Sequence, residues 1–138
     1  MDNVLRDAHN RIIRDLRVSV TDRCNFRCFY CLPNGEPPLA RKDTILTFEE
    51  IDRICEIFVS LGIEKIRLTG GEPMLRKDIE ILIEKIAMLK GEKIHNPAVE
   101  NPKPKIQNPK LLDLALTTNG HTFPRRAIFL LIAEETAR

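Results

Sequence analysis

The sequence predicts an α/β fold assembled from parallel βα units. Short apolar runs alternate with longer amphipathic ones, the pattern of strands separated by helices. Each amphipathic run carries its own stop signal. Every motif of unusual composition falls directly after a short run, and in a parallel sheet or barrel wall ligands bind at the C-terminal ends of the strands.

"DLRVSV", residues 15–20, alternates and is β-branched, and is read as the first strand. The cysteine-rich stretch "TDRCNFRCFYC" follows as a loop. "TILTFEEIDRICEIFVSLG" then predicts a helix. Thr47 and Glu50 form a capping box, Ile51, Ile54, Cys55, Phe58 and Leu61 form one apolar stripe, and Gly62 sits where a helix terminates. "EKIRLT", 64–69, is the second strand and leads into "GGEP".

The second helix lies within "DIEILIEKIAMLKG", with Ile79, Leu82, Ile83, Ile86 and Leu89 on one face and Gly91 at its end. "LLDLALTT", 111–118, is the third strand, closed by "NG". Residues 91–110 are rich in proline and lysine and read as a surface linker. No internal repeat appears beyond the strand–loop–helix alternation.

The 138 residues suffice for one domain or part of one. Basic and acidic residues number 22 and 20, a net charge of +2, which is too even to argue for nucleic acid or an anionic membrane as partner. "MDNVLRDAHN" is polar and lacks the apolar run of a secretory leader. The longest apolar run, "AIFLLIA", is far short of the ~20 residues a membrane span needs. The expectation is a cytoplasmic protein, where clustered cysteines bind metal or do redox chemistry more often than they form structural disulfides.

Cys24, Cys28 and Cys31 follow a C-x3-C-x2-C spacing, compact enough for one loop to place three sulfurs on a single centre. Closed structural zinc sites take four ligands. A [4Fe–4S] cluster held by three thiolates instead leaves one iron open to a small molecule. Zinc completed by His95 or His121 stays open on spacing alone. Phe29 and Tyr30 precede the last cysteine, where an aromatic ring can cover a cluster or stack on a base. Cys55, on an apolar helix stripe, reads as core.

In "GGEP", Gly70 and Gly71 let backbone approach a ligand closely, Glu72 offers a carboxylate to an ammonium group, and Pro73 stops the strand. A plain turn is the competing reading. Along the strands, Leu16, Val18 and Val20 share one face, as do Ile66 and Leu68, and Leu112, Leu114 and Leu116. Packing those faces under the helices leaves Arg17, Ser19, Lys65, Arg67, Thr69, Asp113, Ala115 and Thr117 on a common interior. Two arginines there require anions, either a bound phosphate chain or Asp113 and Glu72 of the chain itself.

With "FYC" closing the cysteine motif and "GGEP" after a strand, the chain resembles the radical S-adenosylmethionine superfamily. "LRVSVTDRCNFRCFYCLP", "LTFEEI", "IEKIRLTGGEPMLRKDI" and "LALTTNG" are similar, more narrowly, to the GTP 3′,8-cyclase family of molybdenum-cofactor (molybdopterin) biosynthesis. The resemblance covers about residues 10–90 and 112–120.

It implies a lyase that converts GTP to (8S)-3′,8-cyclo-7,8-dihydroguanosine 5′-triphosphate. Cys24, Cys28 and Cys31 would hold a [4Fe–4S] cluster with an open iron for S-adenosylmethionine. Tyr30, Gly70, Gly71 and Glu72 would contact that cofactor, and Arg17, Arg67 and Thr117 would contact GTP. No catalytic side chain beyond the cluster is implied. A reductant for the cluster and a homodimer are.

The family's fold is a TIM-like (β/α)6 barrel, of which this chain would supply about the first three units as a single, incomplete core. Residues 121–138 diverge from the family. The family's second [4Fe–4S] cluster cannot be built from this chain, which has no cysteine after Cys55. Two other readings stay open: a radical S-adenosylmethionine enzyme with another substrate, and a non-enzymatic metal-binding fragment.

Overall fold

Leu16 and Val18 alternate with Arg17 and Ser19 in β1 (Asp15–Ser19), and Ile66 and Leu68 alternate with Lys65, Arg67 and Thr69 in β2 (Lys65–Thr69). That period of two gives the sheet one apolar and one polar face. The computed structural model describes residues 4–31, 39–90 and 111–122. In it β1, β2 and β3 (Asp113–Leu116) form a parallel sheet in the order β1-β2-β3, with Arg17 opposite Arg67 and Arg67 opposite Ala115.

Between β1 and β2, helix α1 (Phe48–Ser60) starts at the expected capping box. The Glu50 amide donates to Thr47 Oγ1 at 3.2 Å and the Thr47 amide donates to Glu50 Oε2 at 2.7 Å. It ends where Gly62 turns left-handed at φ 95°, which lets the Ile63 amide return to the Phe58 carbonyl at 3.1 Å. Helix α2 (Ile79–Ala87) links β2 toward β3 and tightens into a 3₁₀ turn at Met88–Lys90. All five residues assigned to its apolar face are buried.

Both helices cover the apolar face of the sheet. Ile51, Cys55 and Val59 from α1 join Leu82 and Ile86 from α2 over Ile66 and Leu68, in one cluster. Cys55 is 0% exposed there, as its place on the stripe predicts. Two buried residues of α1 fall outside that stripe, Val59 and the carboxylate residue Asp52.

Leu112 corrects the strand-face reading. It is 60% exposed, whereas Leu111 is fully buried. The amides of Leu112 and Asp113 both donate to the Glu64 carbonyl, at 2.7 and 3.1 Å, so the chain is not yet in regular alternation before Asp113. From Leu114 onward the expected face packs on the core.

Upstream of β1 the chain doubles back at Asp7–Arg11 and bridges Arg6 to Ile12. The predicted linker 91–110 lies outside the described residues, with His95. So does the divergent tail beyond Thr122. Among the described residues no helix is long and apolar enough to cross a membrane.

Candidate functional site

Because the strands are parallel, the loops after Ser19, Thr69 and Leu116 emerge on one side of the sheet. The pairing of β1 with β2 continues into two of them. The Val20 amide donates to the Thr69 carbonyl at 2.9 Å, the Gly71 amide to Thr21 at 2.8 Å and the Glu72 amide to Arg23 at 2.7 Å. Gly70 adopts φ +142°, and a Cβ on it would stand 2.2 Å from the Thr21 carbonyl oxygen. A Cβ on Gly71 would stand 2.2 Å from the Arg23 carbonyl oxygen. Glycine is required at both positions by the approach of two backbones.

Past Arg23 the cysteine loop opens around a cavity of about 580 Å³, whose lining includes Cys24, Cys28 and Cys31 together with Gly70 and Gly71. Cys24 and Cys28 are half-buried, Cys31 is exposed, and none is in a disulfide. The Cys31 amide donates to the Cys28 carbonyl at 3.0 Å, a turn that brings the last two cysteines to the same lining.

Tyr30 is 73% exposed and meets Phe29 edge-on, with ring centroids 5.4 Å apart. The neighbouring Cys28 thiol, first by hydrogen bond and then by charge, and Cys31 by charge push its phenol above the usual tyrosine range. Neither ring lines the cavity.

Glu72 does not line the cavity either. It is 1% exposed, and its carboxylate accepts from the Met74 amide at 3.0 Å, the Thr118 hydroxyl at 2.7 Å and the Asn119 amide at 2.7 Å. The loop after β2 is thereby fixed to the loop after β3.

Arg17 and Arg67 stand side by side on the polar face, two residues before the ends of their strands, and both are exposed. Thr117, whose amide donates to the Leu68 carbonyl at 2.9 Å, falls on that face by alternation. Among the described residues neither arginine makes an ion pair. Asp113 does not reach them, and Glu72 is committed to Met74, Thr118 and Asn119.

The model of the radical SAM superfamily matches residues 18–135, from within β1 through all three loops. The chain belongs to the radical SAM superfamily. It is 42% identical over 124 residues to a GTP 3′,8-cyclase of Staphylococcus epidermidis, a match covering 87% of this chain and 31% of that protein. A GTP 3′,8-cyclase of Staphylococcus aureus is 41% identical over 120 residues, covering 84% of this chain and 30% of the relative. The chain spans about a third of the length of these curated relatives.

The radical SAM superfamily implies S-adenosylmethionine and a [4Fe–4S] cluster, and the donor set fits. Three thiols free of disulfides share one cavity with the backbone of Gly70 and Gly71. Among the described residues no three Cys, His, Asp or Glu side chains gather as ligands of one ion. A cluster gives each thiolate its own iron, so its ligands need not meet at a point. His121, the described candidate for a zinc ligand, packs its ring against Phe26 at 5.8 Å.

Several side chains that build this radical SAM site escaped the sequence reading. Thr118 reads from sequence as the last residue of the third strand and Asn119 as part of the turn that closes it, neither with a role in the site. Asn119 Nδ2 donates to Asn25 Oδ1 at 2.9 Å, inside the cysteine loop. Arg76 donates to the Val20 carbonyl at 2.7 Å and to the Leu46 carbonyl at 2.6 Å. Asp22 accepts from the Ala40 amide. The signal for Asn119 was its place at a strand end before Gly120, a position favoured for side-chain–backbone turns.

Proposed function

We propose that the chain is the N-terminal part of a cytoplasmic GTP 3′,8-cyclase, a lyase of molybdenum-cofactor biosynthesis, and that its three strands are half the wall of a (β/α)6 barrel. The observation that supports this best is the pair Arg17 and Arg67. They lie side by side, exposed and unpaired with any described acid, on the face of the sheet that leads to the three-thiol loop. Two planar guanidinium forks at adjacent strand positions suit a phosphate chain.

In this reading Cys24, Cys28 and Cys31 would be the thiolates that hold the cluster. Gly70 and Gly71 would offer close backbone to the methionine part of S-adenosylmethionine, Glu72 keeps that loop in place through Met74, Thr118 and Asn119, and Tyr30 would meet the adenine. Arg17, Arg67 and Thr117 hold the triphosphate so that the ribose C3′ of GTP faces the cofactor. When bound, the cluster and S-adenosylmethionine supply the one-electron chemistry that removes hydrogen from C3′ ahead of its bonding to C8. The protein's share is position and the exclusion of water around a reactive radical.

The test is anaerobic reconstitution of the chain with iron and sulfide, reduction with dithionite, and EPR spectroscopy with and without S-adenosylmethionine. A cubane signal that shifts on adding the cofactor, together with GTP binding to the reconstituted protein, is the expected result. A colourless zinc protein, or a cluster indifferent to S-adenosylmethionine, overturns the proposal.

A further inference from the structure

We infer that Asn119 is a positioning residue that straps the cysteine loop to the loop after β2. Its main-chain amide donates to Glu72 Oε2 at 2.7 Å, and its side-chain amide donates to Asn25 Oδ1 at 2.9 Å. Its own Oδ1 accepts the His121 amide at 3.0 Å, which fixes the orientation of the side chain. His121 in turn sets its ring edge-on to Phe26, at 5.8 Å and 64°. Asn25 and Phe26 immediately follow Cys24.

The strap lies where the main-chain pairing of the described part of the loop ends. Up to Arg23 the loop is paired by its backbone to Gly71 and Glu72. Among the described residues, no main-chain hydrogen bond joins positions 24–31 to another element; the Cys31 amide bonds within the loop, to Cys28. Asn119 therefore supplies by side chain what the backbone stops supplying, one residue beyond Cys24. Glu72 is the fixed end of the strap, since it is buried and also holds Thr118 and Met74.

What the strap serves, a settled spacing of Cys24 from the glycine backbone that lines the same cavity, rests on the proposed function. The strap itself does not, and the first test needs no cluster. The whole metal-free chain is reduced and alkylated with iodoacetamide, and the rate at each cysteine is read by mass spectrometry. Asn119→Ala and Asn25→Ala are each expected to speed Cys24 alkylation about fivefold, the effect of one net hydrogen bond of about 1 kcal/mol on local opening. Cys55, buried in the core, stays protected and reports the global fold.

The double variant is expected to be no faster than Asn119→Ala alone, because Asn25→Ala removes only a bond that Asn119→Ala has already removed. An unchanged Cys24 rate in Asn25→Ala overturns the strap. So does an additive double variant, or a rise at Cys55 in step with Cys24, which would mark general unfolding. In the reconstituted chain, Asn119→Ala is expected to lose iron to a chelator about fivefold faster than the parent, again by the weight of one hydrogen bond. A parent chain that takes up no iron defeats the cyclase reading, while the alkylation result still decides the strap.

Discussion

Gly71 lies so close to Arg23 that a Cβ added to it would stand 2.2 Å from the Arg23 carbonyl oxygen and 2.6 Å from its carbon. Neither atom belongs to a flexible side chain. The contact exists because the ladder between β1 and β2 runs on past the strands, through the Gly71 and Glu72 amides, and delivers the cysteine loop to the cavity. Gly71→Ala is therefore expected to destabilise the chain by about 2–3 kcal/mol, as an overpacked site does. The urea midpoint reads this directly. A variant as stable as the parent would show that the two loops part freely.

Arg76 closes the mouth of the long connection that carries the cysteines. Its guanidinium donates to Val20, where that connection leaves β1, and to Leu46, just before α1 begins, and it lies 4.3 Å from the centroid of the Phe48 ring. Burial lowers its pKa, with Glu49 opposing, but an arginine remains charged at any working pH. Arg76→Met keeps the stem and loses the fork, at an expected cost of about 1.5–3 kcal/mol. Arg76→Lys reaches only one carbonyl and is expected to fall between. Thermal melts of the three proteins rank them, and equal melting of Lys and Met variants would remove the two-carbonyl account.

How much of this was legible beforehand follows from the range of each interaction. The apolar face of α2, the Thr47–Glu50 box and the polar face with its two arginines rest on signals local in sequence, and the structure shows them. The α1 stripe, by contrast, is fully buried only at Ile51 and Cys55. Leu112 failed because the doubled bond to Glu64 delays the start of alternation, a feature no apolar pattern encodes. Asn119 to Asn25, Glu72 to Thr118 and Arg76 to Val20 join positions 46 to 94 residues apart. Such contacts have no period. In sequence Arg76 looks like one surface charge in "RKD" among many, and only the fold brings it to the carbonyls.

The cysteines divide by environment. Cys24, Cys28 and Cys31 line the cavity, whereas Cys55 is 0% exposed among isoleucines and valines of the core. Cys28→Ala is expected to abolish cluster assembly, read as iron and sulfide content, with little effect on stability. Cys55→Ala is expected to leave iron content unchanged and to cost about 1 kcal/mol, as is usual for a single buried change. Iron lost on mutating Cys55 would move that residue from the core to the site.

Arg67 is the sharper of the two arginines to test, because it lies on the central strand with Arg17 on one side and Ala115 on the other. It is exposed and makes no ion pair among the described residues, so its replacement removes no interaction the fold depends on. Arg67→Ala is expected to change stability by no more than about 0.5 kcal/mol, the usual range for such a surface site. Its effect belongs on the ligand. Losing a charge-assisted contact worth about 1.5–3 kcal/mol weakens GTP binding roughly tenfold to a hundredfold. Guanosine, which has no phosphate, should bind parent and variant alike. Isothermal titration with both ligands separates the outcomes: a GTP affinity unchanged by Arg67→Ala would leave the arginine pair without the role assigned to it.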